Sequence, residues 1–218
     1  MNTVVIIIIA VTCIISYLAL NDIRMFEKYK FNVGAILHRK EYVRVLSAGF
    51  LHADIMHLLF NMMTLYFFGP VILQGFGNIG FLIIYFGSIL LGNIFSLFIY
   101  QKQPWYSAIG ASGGVSGILF AAIAMMPNIG IYFFFIPIPI PGFIFGLLYF
   151  SYSVYMMLNP KQWDNLGHAA HLGGAFFGLV YAVINQPESA IHNSMFIGIM
   201  SLPLLYLAYE IFIRKRIN

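Results

Sequence analysis

Charge is what this sequence has least of. Only 8% of its 218 residues are charged and 61% are hydrophobic, whereas a soluble globular domain carries about 25% charged and roughly 45 to 50% apolar residues. That excludes an ordinary soluble domain. The 11 basic and 7 acidic residues leave a net charge of +4, too small and too scattered for a nucleic-acid surface. No segment has the bias of a disordered region or of a separate soluble module. Cysteine is nearly absent: Cys13 stands alone in an apolar run without a lipidation box, so it forms no internal disulfide and is expected to pack. An HExxH motif is lacking, and no carboxylate stands where a zinc protease would place its base. His52, His57, His168 and His171 are enough in number for a four-histidine site, but neither a metal nor another cofactor is expected.

Long charge-free apolar runs take up most of the chain. They place seven spans near residues 3 to 20, 54 to 73, 79 to 100, 110 to 126, 142 to 158, 167 to 185 and 194 to 213, against the ~20 residues that cross a bilayer core. The fold class is therefore all-α and polytopic, a single membrane domain over 1–218. The first run has no basic n-region and no small-residue cleavage site, so it reads as a span rather than a removed signal peptide. The runs at 110 to 126 and 142 to 158 are short, and at least one end of each should lie below the interface. Between them Pro137, Pro139 and Pro141 alternate with isoleucine, which reads as extended loop.

The one long polar segment, 21 to 48, mixes Arg24, Lys28, Lys30, Arg39, Lys40 and Arg44 with aromatic and aliphatic residues and reads as a loop lying on the membrane surface. With seven spans, every Lys and Arg falls on one side of the membrane. The positive-inside rule assigns that side to the cytoplasm.

Ionisable groups within spans are costly and mark candidate sites. In HADIMHLLFN, Asp54 can cap a helix on which His57 and Asn61 share one face, and His52 precedes it as a bracing residue. Polar residues that merely glue helices together would read similarly. In GASGGVSG, Ser112 opens a span whose Gly113 and Gly117 form a GxxxG face, and Gly110 precedes it. In GHAAHLGGAFFG, His171 shares a face with Gly174 and Gly178, again spaced for close approach. Two such faces in contact would bring Ser112 to His171, and a histidine near neutral pKa is the usual base for a serine hydroxyl. Asp54 and Asp164 are the only carboxylates near these segments, so no Ser-His-Asp triad is evident.

These residues resemble one family, the rhomboid intramembrane serine proteases. The resemblance covers roughly residues 41 to 185 and has three parts in family order: HADIMHLLFN, GASGG and AHLGGAFFG. It implies Ser112 as nucleophile and His171 as base in a dyad without an acid. His57 and Asn61 are implied as oxyanion donors, with Gly110 giving the preceding loop its freedom. Arg44 is similar to the arginine of the family's first-loop Trp-Arg pair, although Val43 replaces the tryptophan. Where some bacterial members carry a tyrosine packed on the histidine, this chain has Ser116, so the small-residue contact is expected to hold His171. The seventh span after a six-helix core, 1–185, resembles a 6+1 arrangement.

The implied activity is cleavage of single-span membrane proteins by a multi-pass protein, expected in a bacterial inner membrane. The implied partners are transmembrane substrates and the bilayer. The family resemblance would put the active-site mouth outside the cytoplasm, against the basic-residue pattern. An inactive rhomboid-like protein that binds membrane clients is the competing reading, and retention of both Ser112 and His171 opposes it. A transporter lacks support from any paired charge or internal repeat.

Overall fold

The computed structural model describes residues 2–133, 136–161, 163–164 and 166–216. The chain begins with α1 (Thr3–Asn21), whose first turn is closed by the Asn2 side chain accepting from the Val4 amide at 2.9 Å. Three short helices follow, α2 (Ile23–Tyr29), α3 (Val33–Arg39) and α4 (Arg44–Ser47), then a 3-10 turn at Ala48–Phe50. The helices α5 (Ile55–Tyr100), α6 (Ser112–Met125), α7 (Gly142–Leu158) and α8 (His168–Asn185) come next. The short α9 (Pro187–His192) leads into α10 (Ser194–Ala208), which runs on as a π-helical turn, Tyr209–Ile213.

The 46 residues of α5 would extend for ~69 Å if straight, more than twice a ~30 Å hydrocarbon core. The helix is broken at Gly77, whose φ of 66° and ψ of −174° only glycine adopts freely, and each half is long enough for one crossing. Among the described residues this makes seven apolar helical segments, and the protein is an all-α polytopic membrane protein. The most enclosed is α6. Every residue from Gly113 to Ala124 is buried, and the helix packs mainly against α8 and the second half of α5. With 14 residues it reaches only ~21 Å, less than a ~30 Å hydrocarbon core, and it begins at Ser112 rather than Gly110.

The first loop departs from the expected surface layer. It folds into α2 to α4 around its own small core of Phe31, Val33, Ile36, Val45 and Ala48. Two residues, β1 (Phe31–Asn32), pair antiparallel with β2 (Ser107–Ala108). Arg44 is buried at the centre of this loop, bonded to Glu41 at 2.5 Å and to the carbonyls of Glu27 and Lys30 at 2.8 and 2.9 Å. The reason is arithmetic of donors: a planar guanidinium satisfies several backbone acceptors that a short, interrupted helix leaves open. The hydrogen bond from Arg44 holds the Glu41 carboxyl below its ordinary pKa, against the opposing effect of burial. The proline-rich segment also differs from a plain loop. Its residues form β4 (Ile136–Pro141), which pairs with β3 (Gly130–Phe133); alternating prolines still leave every second residue able to donate.

The basic residues gather at one end of the bundle. Asn32 of the first loop donates to Ser107 beyond Lys102, and Arg216 donates to Asn159 just before Lys161, so all four basic segments meet where α6 and α8 begin. Trp105 and Trp163 are exposed at that same end, as expected of residues at a membrane interface.

Candidate active site

Two helix starts face each other at this end. The glycine faces predicted from sequence do meet: a Cβ on Gly174 would overlap the backbone of Gly113, and one on Gly178 would overlap that of Gly117. Without side chains in between, α6 and α8 lie backbone to backbone. Ser112 is the first residue of α6 and His171 lies in the first turn of α8. Their Oγ and Nε2 atoms are 2.7 Å apart, a hydrogen bond spanning 59 positions of sequence.

His57 approaches from the first turn of α5, where Asp54 caps the helix by accepting from the His57 amide at 2.7 Å. Gly110 explains how close it comes. Its φ is +117°, and a Cβ there would stand 2.8 Å from both Cε1 and Nε2 of His57 and 3.5 Å from Ser112 Oγ. The space over Gly110 is thus bounded by His57 on one side and Ser112 on the other. Asn61 is buried one turn on and donates to the His57 carbonyl at 2.9 Å, which leaves its amide a second N–H. At the start of α6 the amides of Ser112, Gly113 and Gly114 precede the first intrahelical bond, which runs from Val115 to the Ala111 carbonyl. These amides and the positive end of the helix dipole lie at the start of α6, beside the Ser112 side chain. A cleft of about 10 Å³, lined by residues that include Asn93, Gly110, Ser112 and Gly167, lies beside Ser112. That is close to the lower limit for holding one water.

His52 is fully buried, as a bracing residue should be, and its partners show what it braces. Ser16 donates to the Phe50 carbonyl at 2.8 Å, so its oxygen accepts from His52 Nδ1, also at 2.8 Å. Nε2 is then unprotonated and accepts the Ala111 amide at 3.4 Å. The chain of bonds runs from α1 to the residue before Ser112. The first loop adds a second brace, since Gly110 donates to the Ala48 carbonyl at 3.0 Å and Asn32 donates to Ser107. Arg44 acts only through that loop; its bonds go to residues 27, 30 and 41, not to the Ser112 and His171 pair. Removing the imidazole in His52→Ala orphans a buried amide at a cost of ~1 to 3 kcal/mol. Thermal unfolding in detergent is expected to show a midpoint lowered by about 5 °C. An unchanged midpoint would show that the bridge carries no stability.

Asp164 does not complete a triad. Its carboxylate lies 2.7 Å from His168 Nε2, in a pair whose side chains are each 6% exposed. Burial opposes ionisation of Asp164, but the Leu166 amide and His168 outweigh it and hold the carboxyl below its ordinary pKa. The four histidines therefore have separate employments: His52 with Ser16, His168 with Asp164, and His171 with Ser112, while His57 flanks Gly110. Among the described residues no three His, Cys, Asp or Glu side chains converge. Sequence reasoning missed Ser16 and Asn32. Both had a signal, since Thr12 and Ser16 are hydroxyls four apart in an aliphatic run, and Asn32 stands as an N-cap before α3.

A sequence model of the Rhomboid domain matches residues 39–187. The chain belongs to the rhomboid family. It is 29% identical over 170 residues to Rhomboid protein 1, mitochondrial, of Saccharomyces cerevisiae, covering 72% of this chain and 45% of that one. It is 30% identical over 146 residues to RHOMBOID-like protein 12, mitochondrial, of Arabidopsis thaliana, covering 60% of this chain and 43% of that one. A third rhomboid relative, Inactive RHOMBOID-like protein 8 of the same plant, is 30% identical over 95 residues, 44% of this chain and 27% of its own length. The chain thus spans less than half the length of these relatives.

Proposed function

We propose that this rhomboid is an intramembrane serine endopeptidase that cleaves single-span membrane proteins, with a six-helix core of 1–185 and α10 as an added span. The observation that carries this reading is the 2.7 Å bond between Ser112 and His171. With its ring neutral, His171 Nε2 takes the hydroxyl proton as Ser112 Oγ attacks the scissile carbonyl. The tetrahedral oxyanion forms over Gly110, where the amides at the start of α6 and the side chains of His57 and Asn61 donate to it. His171 then protonates the leaving amine, and a water entering beside Ser112 hydrolyses the acyl-enzyme by the same route in reverse.

The shortness of α6 supports a reaction below the interface, because a helix too short to cross the core leaves room for a hydrated cavity at one end, where polar groups and irregular backbone are tolerated. One relative is named inactive, which keeps client binding without cleavage as the competing reading. The paired hydroxyl and imidazole favour catalysis. The yeast and first Arabidopsis relatives carry mitochondrial names and lend no support to a bacterial inner membrane, which rests on the sequence resemblance alone.

A fluorophosphonate probe tests the proposal. The purified chain in detergent is expected to be labelled at Ser112, to stay active in excess chelator, and to lose activity as pH falls through the titration of His171, since an imidazolium cannot accept the serine proton. Absence of labelling in a folded protein that still binds a transmembrane reporter would favour the client-binding reading. Loss of activity in chelator with recovery in zinc would replace the dyad by metal ligation.

A further inference from the structure

Three helices meet behind the imidazole of His171. Tyr149 of α7 lies against it, with ring centroids 6.3 Å apart and planes 28° from parallel, an offset arrangement within the range of favourable aromatic contact. The Tyr149 hydroxyl and the Ser116 Oγ of α6 are 2.9 Å apart. Phe120 and Phe145 flank the same phenol, at 5.3 and 5.7 Å between centroids. Ser116 itself is 6% exposed, one helical turn after Ser112. The expectation that a serine at this position leaves His171 to the small-residue contact alone is therefore corrected: the serine anchors a ring that arrives from another helix.

That ring meets a need the dyad creates. The second side-chain torsion of histidine is broad and weakly determined by its own bonds. In a triad the carboxylate fixes it from the far nitrogen, but here Asp164 is taken by His168. Among the described residues Ser112 is the one hydrogen-bond partner of the His171 ring. A base that is free to turn about that torsion spends part of its time with Nε2 aimed away from the hydroxyl.

We propose that Tyr149, held by Ser116 and the Phe120 wall, is a positioning residue that fixes the His171 imidazole toward Ser112 by packing, in place of an acid. The inference rests on the serine-protease reading. It also makes the base answer to α7, so that any displacement of that helix carries away the surface on which the imidazole rests.

The test uses the full chain in detergent with two readouts, the rate of fluorophosphonate labelling and the kcat and KM for a single-span reporter. Two variants lack a ring, Tyr149→Leu and Tyr149→Met; one keeps it, Tyr149→Phe. The ringless variants are expected to lose ~10- to 100-fold in kcat and labelling rate, the scale of a misplaced catalytic group, with KM within about twofold of wild type. Tyr149→Phe should recover most of that, falling by about threefold for the single hydrogen bond lost. Ser116→Ala should match it, and the double variant should be no worse than either single change, since both remove the same bond.

Wild-type labelling rates in the ringless variants would overturn the proposal, as would a loss expressed in KM alone or a Tyr149→Phe variant as slow as the ringless ones. Failure of the underlying protease reading looks different: the wild type itself would then go unlabelled.

Discussion

Replacing Ser112 by alanine is expected to lower cleavage of a single-span reporter by ~10⁴-fold or more, the scale seen when a hydroxyl nucleophile is removed from a serine hydrolase. The change takes away one oxygen. The bond from Ser112 to His171 goes with it, at a cost of ~1 kcal/mol, while the α6 to α8 contact itself rests on Gly113 and Gly117. Insertion should therefore match the wild type, the unfolding midpoint should fall by no more than about 4 °C, and fluorophosphonate labelling should vanish. His171→Asn is expected to fall by a similar factor, because an amide cannot accept and return the proton. The double variant should be little worse than either single one, since the two residues act as a unit. A Ser112→Ala protein that still cleaves would end the serine-protease reading, and a His171→Asn protein with normal turnover would require another base.

Gly174→Val is the second large effect, and it tests the scaffold instead of the chemistry. The added Cβ falls on the carbonyl of Gly113, a backbone atom next to Ser112 that cannot turn aside as a flexible side chain could. Helices α6 and α8 must separate, and overpacking of this kind costs ~1 to 3 kcal/mol or more. A shift of ~1 Å between the two helix starts is enough to lower the rate ~100-fold, because it lengthens the 2.7 Å bond between Ser112 and His171. The expected result is a lowered unfolding midpoint together with a loss of turnover and of probe labelling. Gly198→Ala is the control: an added Cβ there meets nothing within 4 Å, and both stability and activity should stay at wild-type values. Full activity in Gly174→Val would show that the glycine faces do not set the distance between the two reacting groups.

The scaffold was legible because its signals are local. Charge-free runs of the right length mark membrane helices, since nothing in hydrocarbon can satisfy a free backbone group, and the apolar helices among the described residues lie close to those runs. GxxxG at two helix starts shows which faces can touch, because only residues without side chains let backbones come together. Their meeting needed the structure, yet the pairing of Ser112 with His171, 59 positions apart, follows once those faces are in contact. Asp54 as a cap and His52 as a brace were legible for similar reasons, each being a polar residue at a helix start.

What could not be read were the groups that act through partners distant in sequence. The apolar residues of the segment from 21 to 48 are interrupted by charges and follow no sustained period that would announce a core, which arises only because Phe31, Val33 and Val45 converge from three separate short elements. Asp164 is the carboxylate closest in sequence to His171, and only the turn before α8 shows that its partner is His168. Ser116 looked like a vacancy beside the base. A hydroxyl on α6 has no local feature that says a phenol from α7 will reach it, and Tyr149 sits among other aromatic residues in a helix where any of them could have faced inward. The sequence by itself determined the solvent, the helices and the two small-residue faces, because membrane burial and backbone approach depend on residue type alone. Tertiary structure decided which ring rests on His171 and which acid does not, because those assignments depend on how α7 and α8 are rotated and on the path of the connection between them.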